Sequence, residues 1–354
     1  MLGLKFGELL GLDIGSSSVK IVQFARNVDG YETVAAGRVR IETDDDKTQH
    51  AAEIRTIRAV TECYRQANIK NKYAVSGVCG PDVAVRDFKF PMIPPEELHS
   101  AIALEADQVC PFSMDDGVLD YQVIPDQDDS VHGVFVAATN KVVKQKERII
   151  KEASMNPVLV DVDGLALLNC LSEFGTCQSD QALAVLNIGN TYSTLVIADE
   201  NCVPFVRDTN HAGMSVLENL LQMTELSRKQ LDGILFGVSP DDVPENNDDD
   251  SDTKALVENS LEQACQDLIE DVTGTLRFYS AQRKTLFVEQ IFVCGGFARA
   301  KGLIDILDRN LPAQAVLWNP FENIPCRADS NCKEMLQKEG PSLAVAAGLA
   351  LRSI

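Results

Sequence analysis

Three short runs near the start of the chain alternate apolar with polar or small residues: LLGLDI (9–14), VKIVQFA (19–25) and YETVAAGRVRI (31–41). A period of two puts alternate side chains on one face, so each run is expected to be a strand. The links between them are too short for a crossover helix, which makes the three an antiparallel meander. The period then lengthens. In AAEIRTIRAVTECYRQA (51–67), Ile54, Ile57, Val60, Tyr64 and Ala67 recur at helical spacing and predict one amphipathic helix. The same succession returns later. ALAVLNIG (182–189), TYSTLVIAD (191–199) and VPFVRDT (203–209) read as a second meander, followed by helices over 213–231 and 254–284. A strand at IFVCGG (291–296), a helix over 302–310 and a closing helix over 341–352 complete the pattern.

The block between the two meanders has another character. The strands YAVSGVCG and VAVRDFKF lead into Pro94-Pro95-Glu96-Glu97, a helix start with proline in the first turn and acids against the dipole. Leu98, Ile102 and Glu105 carry that helix toward Pro111; strands over 118–124 and 133–138 and a helix over 140–154 follow. About 80 residues in all, the block reads as an inserted α+β module, after which VLVDVDGLALLNCLSEF (158–174) resumes the main fold as strand and helix.

Length and charge narrow the function. At 354 residues the chain is long enough for two domains or more. Its net charge of −21 argues against nucleic acid, which needs clustered Lys and Arg, and against adsorption to anionic lipid. The acidic runs Asp44-Asp45-Asp46 and SPDDVPENNDDDSDT (239–253) read as solvated loops. Ten cysteines include no C-x-x-C pair; Cys326 and Cys332 have no histidine neighbours, so no zinc site is expected, and reduced thiols fit a cytosol. MLGLKFGELL lacks the apolar centre and cleavage site of a signal peptide, and the apolar run over 342–351 falls far short of a bilayer span. Any membrane role is expected to pass through a partner.

Two segments are alike: LGLDIGSSSVKIVQFAR and AVLNIGNTYSTLVIADE each run strand, Asp or Asn, Ile, Gly, small polar turn, strand. Two copies about 174 residues apart imply two homologous lobes facing one cleft. In the first copy, Gly15 would let the backbone approach a ligand, Ser16, Ser17 and Ser18 can offer hydroxyls and amides to an anion, Lys20 can neutralise phosphate and Asp13 can hold Mg²⁺ through water. Asn187, Gly189, Asn190 and Thr191 form the opposing turn, and Gly295-Gly296-Phe297 gives a backbone that can lie against a flat ring. Singly, the first is an ordinary serine-rich hairpin and the last a plain βα turn. Together and in this order they point to a nucleotide. Neither G-x-G-x-x-G after a strand nor G-x-x-x-x-G-K-[ST] occurs; His50, His99, His132 and His211 are scattered, with His99 expected at the surface, and no Ser-His-Asp or Cys-His set can be argued.

These turns resemble the signature of the superfamily of actin, sugar kinases and large heat-shock chaperones. VRDFKFPMIPPEELHSAIALEADQVCPF, VLDYQVI, VFVAATNKVV, NPVLVDVDGLALLN, FVCGGFARAKGL and SLAVAAGLALR, spread over almost the whole chain, are similar to FtsA and more closely to the PilM family of type IV pilus assembly. The resemblance implies an actin-like, ribonuclease-H-like duplicated two-lobe α/β fold. Its first lobe would comprise 1–73, 156–181 and 338–354, its module 74–155, and its second lobe 182–337. It further implies a cytoplasmic ATP- and Mg²⁺-binding scaffold, attached peripherally to the inner membrane by recruiting the N-terminal segment of a PilN-type protein, among other pilus platform or motor proteins. On that resemblance Gly213, Glu225 and Lys229 join the nucleotide site.

Two departures stand out. Asn187 replaces the family's usual Asp, and Ala212-Gly213-Met214 replaces Gly-Gly-Asn. An amide is neither a carboxylate base nor an anionic ligand, so binding is favoured over hydrolysis. In the module, Arg86, Phe88 and Phe90 share a strand face and, with Glu105 and Phe112, are expected to form a peptide groove unless the phenylalanines cover the module's own helix. The alternatives are a slow ATPase or sugar-kinase-like phosphotransferase, for which no carboxylate base is apparent, and an FtsA-like cell-division protein, which would carry an amphipathic helix beyond Ile354.

Overall fold

A computed structural model describes residues 9–353 apart from 29, 45, 47, 125–129, 176–181, 199–203, 238–249 and 283–287. The segment Met1–Glu8, most of the acidic run from Ser239, Asp45, Cys177 and Cys202 therefore lie outside the described residues.

The first meander is β1 (Leu9–Ile14), β2 (Ser18–Asn27) and β3 (Gly30–Arg40), and α1 (Gln49–Gln66) follows it. Strand β4 (Tyr73–Val78) returns parallel to β1. Next come β5 (Val83–Pro91), α2 (Pro95–Val109), β6 (Gly117–Ile124), β7 (Ser130–Thr139), α3 (Asn140–Glu152), β8 (Asn156–Val162) and α4 (Asp163–Phe174). The second meander, β9 (Leu183–Ile188), β10 (Ser193–Ala198) and β11 (Phe205–Thr209), precedes α5 (Gly213–Thr224), α6 (Arg228–Phe236), α7 (Asp250–Ala264) and α8 (Gln266–Gln282). The chain ends with β12 (Gln290–Cys294), α9 (Leu303–Asn310), β13 (Gln314–Leu317), α10 (Ser330–Glu339) and α11 (Ala344–Ala350).

The duplication is carried into the topology. One sheet is ordered β3-β2-β1-β4-β8 and the other β11-β10-β9-β12-β13, each an antiparallel meander followed by two parallel strands. This is the α/β actin-like architecture. Central strand β1 is buried along its whole length, as a strand covered on both faces must be. On one face Leu10, Leu12 and Ile14 meet α1 and α3; on the other, α4 and α11 cross between the lobes. A Cβ at Gly348 of α11 would lie 1.8 Å from Ala166 O of α4, so only glycine permits that crossing.

Several elements differ from the sequence reading. Strand β4 and helix α3, expected within the module, belong to the first lobe: β4 pairs with β1 and β8, and Ile149 and Ile150 bury in the first lobe's core. What remains between them is the sheet β5-β7-β6 under α2, whose core is Phe88, Leu98, Ile102, Ala106, Phe135 and Ala137. The helix expected over 213–231 breaks at Glu225, which turns left-handed (φ 56°), and restarts behind a Ser227/Gln230 capping box. A break at Cys265 divides the 254–284 helix into α7 and α8, and the closing helix starts as a 3₁₀ turn over Gly340–Leu343. Ile54, expected in the core face of α1, is exposed; Ala59 and Cys63 bury instead. Strand β13 and helix α10 were not foreseen, and α10 lays Cys332 and Leu336 on the first lobe's core beside Phe24.

Candidate functional site: a cleft between two meander turns

The two meander turns meet. Gly15 N–H donates to Ser18 O at 3.2 Å and Gly189 N–H to Tyr192 O at 3.1 Å, the same closure in both copies. Their tips cross. Thr191 Oγ1 donates to Ser16 Oγ at 2.7 Å, and Asn190 Nδ2 to the same oxygen at 3.2 Å. These groups lie at the surface of the cleft, and each can exchange its present partner for an anionic oxygen. Ser18, by contrast, is buried at the head of β2, leaving Ser16 and Ser17 as the open hydroxyls of the first turn.

Behind the tips is a charged floor. Strand register sets Asp13 opposite Lys20, and Lys20 Nζ lies 2.9 Å from Asp13 Oδ2. Two floor residues were missed by the sequence reading, Asp163 and Lys146. The parallel β1/β4 ladder runs to Leu12 opposite Ser76, which sets Gly77 beside Asp13. Gly77 has no side chain, and Asp163 Oδ1 sits 1.9 Å from where its Cβ would be. The Asp163 carboxyl, at the first residue of α4, thus takes a seat next to Asp13. Burial and the negative charge of Asp13 push it up to about 7, against the pull of Lys146 and of the Cys79 thiol that donates to it. Lys146 Nζ donates to Ile14 O at 2.7 Å and holds the first turn from below. An acid where strand passes to helix, in VDVDG, was the available signal for Asp163; nothing in the sequence pointed to Lys146.

The second lobe departs from this symmetry as its sequence does. Asn187 stands opposite Thr194 as Asp13 stands opposite Lys20, and it packs on the glycine turn, where a Cβ at Gly295 would meet Asn187 Oδ1 at 2.6 Å. Its carboxylate is found one strand out, on Asp208 opposite Thr194. Gly295 adopts φ 101° and donates to Pro341 O at 2.8 Å, while Gly296 faces open space. Phe297 is buried with its ring 5.7 Å from that of Phe236 and over Gly213, so it forms core and not part of the open turn. Gly213 N–H and Met214 N–H donate to Gly189 O and Asn190 O, tying the start of α5 to the second turn. Glu225 and Lys229 are exposed at the α5–α6 corner, about 18 Å along α5 from that turn.

A second concavity of 1130 Å³ lies between the module and the second lobe, walled by Val83, Val85 and Arg86 of β5, Glu105 of α2, Phe205 of β11 and Phe278 of α8. Of the expected peptide residues, Arg86 and Glu105 line it. Phe88 is 4% exposed in the module core, and Phe90 and Phe112 pack against that core. Helix α2 covers the strand face at Phe88, and Arg86 is left outside. His99 is exposed, as expected. Among the described residues no group of three or more His, Cys, Asp or Glu could by itself hold a metal, and no helix is long and apolar enough to cross a membrane.

A family profile described as "Type IV pilus assembly protein PilM" matches residues 11–354. The chain belongs to the PilM family. Among solved structures it is similar to the "PilM-PilN type IV pilus biogenesis complex", at 23% identity and a TM-score of 0.77, covering 98% of this chain and 99% of that one. It is also similar to a diol dehydratase-reactivating factor in nucleotide-free form (10% identity, TM-score 0.55, 97% and 99% covered). A third likeness is to the ethanolamine utilization protein EutJ from Carboxydothermus hydrogenoformans (11%, 0.51, 97% and 89%). At these identities the likenesses show a common fold.

Proposed function

We propose that this PilM-family chain is a cytoplasmic nucleotide-dependent scaffold of type IV pilus assembly. It grips ATP with Mg²⁺ between the two meander turns and docks the N-terminal cytoplasmic peptide of a PilN-type inner-membrane protein. The crossing of Ser16 with Asn190 and Thr191 carries the reading, because it puts neutral donors from both lobes at one point above the Asp13–Lys20 pair. The residues fit the ligand. Lys20 and Lys146 offset phosphate charge, Gly296 leaves open space beside the third turn, and the neighbouring carboxyls of Asp13 and Asp163 suit a divalent cation that enters with the phosphates. Bound nucleotide would supply the anion that both lobes hold in common. The groove suits an extended peptide: β5 and β11 are terminal strands of their sheets and face each other across it, with Phe205 and Phe278 as apolar wall. Partnership with a PilN-type tail is supported by the similar fold in the PilM-PilN complex. Attachment to the inner membrane would then come through that tail.

Titration with a fluorescent N-methylanthraniloyl ATP tests the first half. Saturable, Mg²⁺-dependent binding is expected, weakened tenfold or more by Lys20→Ala. Calorimetric titration with a synthetic PilN-type N-terminal peptide tests the second. Absence of both signals overturns the proposal.

A further inference from the structure

We propose that Gly80, Tyr192 and Asp208 form a latch through which occupancy of the second turn sets the width of the peptide groove. This rests on the reading of the two sites given above. Tyr192 follows Thr191 and closes the turn with its own carbonyl. Its ring packs against Gly80, with ring carbons 2.9, 3.0 and 3.3 Å from where a Cβ of Gly80 would stand. Gly80 adopts φ 95°, a conformation that favours glycine, and its N–H donates to Asp208 Oδ2 at 2.7 Å. The other oxygen of Asp208 accepts from Thr194 Oγ1 at 2.6 Å. A backbone amide of the link between β4 and β5 is thereby fixed to the edge strand of the second lobe.

The position of this latch gives it consequence. Gly80 sits in the short link from β4, which ends beside the charged floor, to β5, one wall of the groove. Asp208 belongs to β11, the opposite wall. Tyr192 belongs to the turn whose Asn190 and Thr191 meet Ser16. Strand β10, buried at every position from Ser193 to Ala198, joins Tyr192 to Thr194 without slack. An anion that parts Ser16 from Thr191 therefore draws the Tyr192 ring off Gly80 and shifts β5 relative to β11. A peptide wedged between β5 and β11 pushes the same parts the other way along the same path, and the two ligands must alter each other's affinity by one common factor.

Hydrogen exchange on the full chain tests this, with and without saturating Mg²⁺ and ATP, with binding verified by the fluorescent analogue. Exchange of the Gly80 amide is expected to rise fivefold or more on binding, with changed protection across 83–91 and 205–209. The dissociation constant of the PilN-type peptide should move by a similar factor. In Asp208→Asn, which leaves one of the two donors without its acceptor, the ratio of peptide affinities with and without nucleotide falls toward one. Thr194→Val removes a single hydroxyl and reports the same loss should the first variant fail to fold. Nucleotide that binds without altering exchange over 80–91, or variants that keep the full ratio, would overturn the latch alone. Failure of nucleotide to bind at all overturns the reading of the cleft and the latch with it.

Discussion

Replacing Asp163 by asparagine should make the ligand-free protein more stable and its grip on Mg²⁺-nucleotide weaker. Burial beside Asp13 raises this carboxyl from 3.8, the ordinary aspartate value, to about 7. Between those values the unfolded chain releases a proton that the folded chain keeps, so the unfolded state gains and stability falls as pH rises. Below about pH 4 both states are protonated and the penalty vanishes; above about pH 7 it is complete. Roughly three units at 1.36 kcal/mol each give about 4 kcal/mol as an upper bound, and relaxation around the carboxyl brings this to about 2–4 kcal/mol. An amide of the same shape fills the seat over Gly77, still accepts from the Cys79 thiol, and carries no charge. Urea unfolding of Asp163→Asn and wild type at pH 5 and pH 8, without nucleotide, reads the effect. The variant should gain about 2–4 kcal/mol at pH 8 and clearly less at pH 5, while its affinity for the Mg²⁺-bound analogue drops tenfold or more. Equal stabilities at pH 8, or a gain that does not change with pH, would refute the placement of a strained carboxyl beside Asp13.

Other outcomes follow from the same geometry. Gly77→Ala puts a Cβ on Asp163 Oδ1 and should reproduce the loss of Mg²⁺-nucleotide affinity, measured by the same fluorescence titration, without the gain in stability. Gly11→Ala would set a Cβ 1.9 Å from Ala346 O and 2.6 Å from Ala350 N, both backbone atoms of the α11 region, and should cost about 3 kcal/mol or more by urea unfolding. Cys63 and Cys265 are buried, with their thiols pushed up to about 12, so both should resist alkylation at pH 8 and react once the protein is unfolded in urea, as read by mass spectrometry. Thr191→Val removes the hydroxyl that meets Ser16 and should weaken nucleotide binding about fivefold in the same fluorescence titration.

What could be read from the sequence was what is local in the chain. LGLDIGSSSVKIVQFAR and AVLNIGNTYSTLVIADE each contain both strands and the turn of one hairpin, so their likeness was visible, and so was the pairing of lobes it implies. Contacts that cross the chain were not. Lys146 reaches Ile14 from 132 positions away, and Asp163 enters the floor only because β8 returns alongside β4. Strand β4 was misassigned because YAVSGVCG and VAVRDFKF adjoin in sequence, whereas hydrogen bonding splits them between two sheets. Strand spacing left Phe88 open between a peptide groove and cover for the module's own helix, and Phe297 was read with the Gly295-Gly296 turn as part of a ring-binding surface. Spacing gives a face but does not say what covers it: α2 lies over one, and Gly213 with Phe236 receives the other.

The account turns on the crossing of the turns at Ser16 and Thr191. A crystal structure of the full chain with Mg²⁺ and a non-hydrolysable ATP analogue tests it most directly. The phosphates should lie between residues 13–20 and 187–191, with Ser16 Oγ and Thr191 Oγ1 drawn apart from 2.7 Å and each bonded to phosphate oxygen. A nucleotide bound elsewhere, or one bound while that contact stays closed, would contradict it.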